Sequence, residues 1–237
     1  MIQVIKSSER HFADHGWLQT KWHFSFAEYH DPKNVHWGAL RVFNDDVVQA
    51  GEGFGMHPHR DMEIVTVMLA GALEHRDSLG NTGVLRPGEV QVMSAGSGIL
   101  HSEFNHSKTE PLHLLQLWIF PRTKNLKPRW EQKEFPAVDR EGKLLSVVTS
   151  QEADGAANGA LRIDQDAQIY LSKLRAGESV QHSGREGRKA YLFVIEGGVK
   201  VNGTSLAAGD QGRIGDEKVL RIHAEKDAEF ILLDLPD

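Results

Sequence analysis

The sequence predicts an all-β protein, a sandwich or barrel made of many short strands. Three observations carry that prediction. Short runs rich in Val, Ile, Leu, Phe and Trp recur along the whole chain, and glycine turns punctuate them, with 23 glycines in 237 residues. Almost no stretch carries the 3.6-residue apolar period of a long helix.

In chain order the strand runs are 40–43, 63–69, 90–93 and 112–120, then 144–148, 169–174, 190–195, 199–201, 219–222 and 230–235. β-branched and aromatic side chains suit a pleated, half-buried surface, which favours strand over helix in these runs. Gly80-Asn81, Pro87-Gly88, Gly197-Gly198, Asn202-Gly203 and Ala208-Gly209-Asp210 are turn signals, because glycine and asparagine accept the backbone angles that tight turns need. A short helical candidate lies at 24–28. Residues 121–143 are polar and charged with prolines at 121, 128 and 136, and read as a connection dividing residues 1–135 from residues 136–237. The Ala-Gly-Asn stretch at 153–160 reads as a loop within the second half.

A weak internal repeat supports two similar units. Residues 67–73, followed by Leu85-Arg86-Pro87-Gly88-Glu89, echo residues 193–199, followed by Leu206-Ala207-Ala208-Gly209-Asp210. Both copies read as strand, glycine turn, strand, then a corner.

Composition removes several function classes. Basic and acidic residues number 27 and 33, a net charge of −6, and no basic stripe suited to nucleic acid is present. The absence of cysteine excludes disulfides, thiolate zinc sites, iron–sulfur clusters and a cysteine nucleophile, and fits a reducing cytoplasm. The first thirty residues carry charges throughout, so no signal peptide is expected, and the apolar run at 112–120 is far short of the ~20 residues of a membrane span. Gly51-Glu52-Gly53-Phe54-Gly55 and Gly96-Ser97-Gly98 open no helix after a strand, which argues against a phosphate loop. Ser94 and Ser97 lie near His101 without a nucleophile elbow around them.

Thirteen histidines are many for this length. Met56-His57-Pro58-His59 places two of them at i and i+2, and His101-Ser102-Glu103 places a histidine and a carboxylate at the same spacing. Residues two apart in a strand share a face, ~6.6 Å apart, and a neighbouring strand lies ~4.8 Å away. Two such pairs side by side aim four donors at one small volume. Imidazole and carboxylate both bind metals at ~2.0–2.2 Å. This donor set suits Fe(II), and also Mn, Co, Ni, Cu or Zn. The histidines at 11, 15, 23, 30 and 36 are irregularly spaced and read as solvated or capping; His75 and His106 are possible supports for the site.

Residues 51–63 resemble the first cupin motif: glycine, five residues, His-x-His, three residues, Glu. Residues 98–105 resemble the second: glycine, two residues, His, three residues, Asn. More narrowly, 57–63 with 94–103, and His23-Phe24-Ser25-Phe26-Ala27-Glu28-Tyr29 before Asp31-Pro32, are similar to the pirin family of bicupins. The resemblance spans residues 11–135 and fades beyond. It implies two tandem jelly-roll barrels, the second degenerate. There, Gln181-His182-Ser183 stands where a second His-x-His would fall, and 209–214 lacks the later histidine.

The resemblance also implies a ligand set. In pirin-like proteins the metal ligands map onto His57, His59, His101 and Glu103, whereas in most single cupins the acid would be Glu63. Spacing alone leaves both acids open; Glu63 is expected to orient a histidine instead. The implied activity is that of the small bacterial quercetin 2,3-dioxygenases, which use a divalent metal, Fe(II) first among the candidates, to open a flavonol with O₂ and release carbon monoxide. Glu103 is the expected base, with Phe54, Met56, Gln116 and Trp118 as pocket wall, although ordinary core packing is the alternative for Trp118. A second possibility is a pirin-like regulator acting through protein partners, and a third is a metal-dependent isomerase or sugar-binding cupin. A monomer is implied, with no direct nucleic-acid or membrane contact.

Overall fold

The apolar runs become strands in the computed structural model of the chain, which describes residues 1–152 and 159–237. After β1 (Ile2–Ile5), the first half supplies β2 (His11–Asp14), β3 (Leu18–Trp22), β4 (Leu40–Val48), β5 (Gly53–His59), β6 (Glu63–Ala70) and β7 (Leu73–Asp77). It continues with β8 (Thr82–Leu85), β9 (Glu89–Ser94), β10 (Ile99–Asn105), β11 (Leu112–Ile119) and β12 (Arg129–Glu134). The second half holds β13 (Leu145–Ser150), β14 (Leu161–Ile163), β15 (Gln168–Leu174), β16 (Ser179–Ser183) and β17 (Arg188–Glu196). It ends with β18 (Gly198–Val201), β19 (Thr204–Ala207), β20 (Gln211–Gly215), β21 (Val219–Ala224) and β22 (Ala228–Pro236). Among the described residues the helical content is two 3-10 turns, and no helix is long and apolar enough to cross a membrane. The fold is all-β, as expected.

Each half pairs a seven-stranded sheet with a four-stranded one. The first half runs β12-β9-β6-β11-β4-β3-β2 over β5-β10-β7-β8; the second runs β1-β20-β17-β22-β15-β13-β14 over β16-β21-β18-β19. The two orders match, β9-β6-β11-β4 corresponding to β20-β17-β22-β15 and the small sheets strand for strand. The sequence repeat therefore marks one barrel topology used twice. Its glycines explain themselves: Gly71 and Gly197 both turn at φ 75°, and a side chain there would run into the Leu112 backbone or the Asp227 carbonyl.

The two large sheets share one core. Phe43, Val65 and Leu117 of the first pack with Tyr191, Phe193, Ile231 and Leu233 of the second, all almost fully buried. Each such side chain contributes roughly 1.5–3 kcal/mol on burial. Strand β1 crosses over in sequence to close the edge of the second large sheet against β20.

Two local expectations change. The helical candidate at 24–28 is a tight turn instead, with Phe26 and Tyr29 exchanging backbone hydrogen bonds at 2.9 and 3.0 Å around Ala27 at φ 46°. Four residues closing on themselves cannot nucleate a helix. The polar connection contains a strand, β12, whose charges suit its place at the sheet edge. Most of the loop expected at 153–160 lies outside the described residues.

Candidate metal centre

Strands β5 and β10 are antiparallel neighbours, with His101 opposite His57 and Ile99 opposite His59. The register then slips: Glu103 faces Phe54, so three residues of β5 span two of β10. This bulge reverses the alternation. It keeps Phe54 on the inner face with His57 and His59, while Met56, the residue just before His57, faces solvent at 58% exposure as alternation requires. Met56 is therefore not a pocket residue, contrary to the sequence expectation.

The three imidazoles converge. Ring centroids lie 4.8 Å apart for His57–His59, 4.4 Å for His57–His101 and 4.9 Å for His59–His101, and one ligand atom from each falls within 4.8 Å of the others. His57 Nδ1 is 2.7 Å from the Gly55 carbonyl, which only accepts, so Nδ1 carries a proton and Nε2 is the nitrogen left to face a metal. Burial, followed by the neighbouring histidines, pushes His59 down to about 4 and His101 down to about 3, so both are neutral at pH 7. His101 is 1% exposed, and neither ring nitrogen has a hydrogen-bond partner. An unmade buried hydrogen bond costs about 1–3 kcal/mol. Neutral imidazoles with unspent lone pairs are the donor set that a divalent cation requires, so the residues fit the metal that the motif implies.

Glu103, buried on β10, falls in a second triple of ligand atoms within 4.8 Å, with His75 and His101, so that His101 is common to both sets. Two amides hold its carboxylate. Gln91 Nε2 donates to Oε1 at 3.2 Å and Gln116 Nε2 to Oε2 at 2.7 Å. Each amide is itself oriented by an indole, since Trp130 Nε1 donates to Gln91 Oε1 at 2.7 Å and Trp118 Nε1 to Gln116 Oε1 at 3.2 Å. The source is a register row across the large sheet: Gln91, Thr66, Gln116 and Asn44 stand side by side on β9, β6, β11 and β4. His75 backs the site, with its ring stacked 5.2 Å from Trp130 and Nε2 3.4 Å from Asp77 Oδ2. His106 lies at the surface against Glu74.

Glu63 does not orient a histidine. The chain breaks between β5 and β6 at Asp61, φ 47°, so the i+2 progression from His59 is lost and Glu63 starts a strand of the other sheet. Its carboxylate accepts from Ser94 Oγ at 2.5 Å and lies near Arg129 and Asp164. Burial raises it to about 7.

A cavity of about 380 Å³ opens beside His57 and His59. Its walls are aromatic: Trp17, Trp22, Phe26, Phe54 and Trp118, the last meeting the His59 ring edge-on at 4.8 Å. Its polar side is Asn44, Asp46, Glu103 and Gln116. Phe54, Gln116 and Trp118 thus line it. The sequence reading missed Trp17, Trp22, Phe26, Asn44, Asp46 and Gln91. Asn44 and Asp46 left one signal, a run of three polar residues at 44–46 inside a strand ending in valines. Asp46 is 4% exposed, and burial raises its carboxyl to about 7, with Asp45 and Glu103 adding to the rise and Thr20 opposing it.

Two other histidines have different work. His23 is not solvated: it is buried between the halves, bonded to Arg10 through Nε2 and to Tyr191 through Nδ1. His182 gives Nε2 to Asp234 at 2.9 Å, beside a cavity of about 550 Å³ whose charged groups pair among themselves.

A family model described as pirin matches residues 5–119, and one described as a quercetinase C-terminal cupin domain matches residues 147–235. The chain is 46% identical over 237 residues to the quercetin 2,3-dioxygenase of Escherichia coli, covering 100% of this chain and 99% of that one. It is 47% identical over 224 residues to a pirin-like protein of Caulobacter vibrioides, with 94% of each chain covered. The crystal structure of the Escherichia coli pirin YhhW in complex with nickel(II) is similar at a TM-score of 0.93 and 44% identity, covering 100% of this chain and 99% of that one. With matches running end to end in both sequence and fold, the chain belongs to the pirin family.

Proposed function

We propose that this protein is a metal-dependent dioxygenase that opens the ring of a flavonol such as quercetin with O₂. One observation carries this reading: three imidazoles converge, and two of them, His57 and His59, line an aromatic cavity of about 380 Å³ together with the buried Glu103 carboxylate. The Escherichia coli relative supports it, being named quercetin 2,3-dioxygenase and having a crystal structure in complex with nickel(II). His57, His59, His101 and Glu103 together hold one divalent cation per chain, which we assign as Fe(II) because the nitrogen and oxygen donors suit it and it is redox-active. When bound, the cation supplies Lewis acidity toward an anionic oxygen and electrons for dioxygen chemistry.

The chain's own residues do the remainder. Trp17, Trp22, Phe26 and Phe54 take a flat aromatic ring out of water and fix its plane. Glu103 receives the proton of the flavonol hydroxyl; Gln91 and Gln116 keep its two oxygens in place, and their N–H groups stabilise the charged form before transfer. Residues 1–135 carry the chemistry, and residues 136–237 brace them through the shared core. The test is anaerobic loading with Fe(II), Ni(II), Mn(II), Co(II), Cu(II) or Zn(II), then an oxygen electrode. Oxygen uptake in step with flavonol loss is expected of the iron-loaded protein. No uptake with any ion contradicts the reading.

A further inference from the structure

We propose that a row of aromatic rings carries oxidising charge from the metal centre to the surface and ends at Tyr29. Stray peroxide at the centre then oxidises Tyr29 instead of the ligand histidines. This rests on the reading of His57, His59, His101 and Glu103 as the seat of Fe(II), and adds a redox path that the ring-opening reaction does not use.

The row is continuous. The His59 ring meets Trp118 edge-on at 4.8 Å between centroids, Trp118 meets Phe26 edge-on at 5.4 Å, and Phe26 lies 5.8 Å from Trp22. Beyond Trp22 the rings lie flat on one another. Trp22 and His11 are 5.2 Å apart at an interplanar angle of 9°, and His11 and Tyr29 are 4.5 Å apart at 11°. Each step is an ordinary close contact between aromatic side chains. The register of β2 and β3 sets His11 opposite Trp22. The tight turn that joins Phe26 to Tyr29 supplies a ring on either side of that pair, Phe26 on the cavity side and Tyr29 beyond His11. Trp118, Phe26 and Trp22 belong to the cavity wall, but His11 and Tyr29 do not line it. Holding a flat substrate therefore does not account for the outer end of the row.

Electron transfer falls off steeply with the gap between donor and acceptor, so closely spaced rings carry charge where one long jump cannot. Indole and phenol are the rings of this row that give up an electron most easily; Phe26 and His11 bridge between them. The chain has no cysteine to intercept the charge first. Trp118 Nε1 donates to the Gln116 amide oxygen at 3.2 Å, too weak a base to take the proton, so an oxidised Trp118 keeps its charge and passes it on. Tyr29 is half-buried, and its hydroxyl accepts from Asn34 Nδ2 at 3.2 Å, which leaves its own proton to go to solvent. Losing the proton with the electron holds the charge at Tyr29. Hydrogen peroxide takes up two electrons and two protons and becomes two waters. One electron comes from Fe(II), which becomes Fe(III). The other comes from Tyr29, which also releases its hydroxyl proton and becomes a neutral radical; solvent supplies the second proton.

The test mixes the full-length protein, loaded with Fe(II) and its iron content measured, with an equimolar amount of hydrogen peroxide, and reads the frozen sample by electron paramagnetic resonance. The wild type is expected to show a tyrosyl radical, whose spectrum narrows when the protein is made with ring-deuterated tyrosine. The zinc-loaded protein should show none. Tyr29→Phe keeps a ring in place and should lose the signal, with iron content and flavonol turnover as in the wild type. Trp22→Phe keeps a ring in the row but removes an oxidisable step, and should also lose it; if that variant does not fold, His11→Leu interrupts the same stack from the surface side. In each variant, peptide mass spectrometry should find more oxygen added to His57, His59 and His101 than in the wild type after the same exposure. A tyrosyl signal that survives Tyr29→Phe overturns the proposal. So does a wild type with no radical or with one confined to tryptophan, or ligand histidines oxidised equally in wild type and variants. A chain that holds no iron removes the metal reading and the proposal with it, whereas an iron-loaded chain without the radical removes the proposal alone. The radical without oxygen uptake on a flavonol removes the dioxygenase reading and leaves the path.

Discussion

Glu103 shows how much of the site is set by groups that never touch a metal. Its two oxygens accept from Gln91 and Gln116, and the indoles of Trp130 and Trp118 prevent either amide from flipping. Glu103→Gln places an amide where two N–H groups already point, so only one of them finds an oxygen. Turnover of a flavonol should fall by roughly 10²–10⁴-fold, the range for loss of a general base, while metal content by elemental analysis falls far less. Activity near the wild-type level would remove the base role. Glu63 gives a pH test away from the site. Its folded value, about 7, lies above the ordinary 4.5. A carboxyl raised on folding holds its proton more tightly in the native state; its contribution is full below the unfolded value and lost as pH rises through the folded one. Glu63→Gln cannot lose that contribution. Its melting temperature relative to wild type should rise between about pH 4.5 and 7, by the equivalent of roughly 1–3 kcal/mol at about 1.4 kcal/mol per unit. Its metal content should be unchanged. An offset that does not move with pH would contradict the burial argument.

At the scale of elements, the bulge in β5 is the feature on which the site turns. The His-x-His and His-x-Glu pairs were legible because period two fixes which side chains share a face. The wall was legible only in part: parity from His57 already puts Met56 outside, whereas Phe54 comes inside with the histidines only because parity fails at the bulge. No residue in that stretch announces the slip beyond the glycines around it. Deleting Met56 removes the extra residue, so that Phe54, His57 and His59 fall at i, i+2 and i+4 and share a face by simple alternation. The shortened protein should keep its β-rich circular dichroism and bind metal within about tenfold of the wild type by titration, one tenfold step being about 1.4 kcal/mol. Met56→Gln, at an exposed position, should bind metal like the wild type. A loss well beyond tenfold after the deletion would show that the bulge does more than bring Phe54 to the face of the histidines. The strand β12 illustrates the opposite difficulty, since an edge strand dressed in charges looks like a linker in sequence.

For the whole molecule, the repeat in sequence corresponds to one topology used twice, and the turn glycines made that visible. The packing of the halves was not visible, because it depends on which faces of two separate sheets meet. A chain of buried hydrogen bonds crosses that boundary: Arg10 donates to His23 Nε2, the His23 Nδ1 proton goes to Tyr191, and the Tyr191 hydroxyl donates to Gln211. Burial, then Arg10 and Arg213, hold His23 well below its ordinary range, so it serves as a neutral relay in this chain. Tyr191→Phe leaves a buried donor and a buried acceptor unmade and should cost about 1–3 kcal/mol. Because the halves share a core, that loss should lower a single melting transition rather than split it in two. Two separated transitions in calorimetry would mean that the halves fold independently.

The central claim is that three imidazoles and one carboxylate converge on a cation in the first barrel. Metal content of the purified chain, measured by elemental analysis beside that of His101→Ala, tests it most directly. His101 belongs to both sets of candidate ligands, so its removal should take the content from about one ion per chain to a small fraction while the circular dichroism spectrum persists. A His101→Ala protein that keeps its full complement of metal would contradict the account.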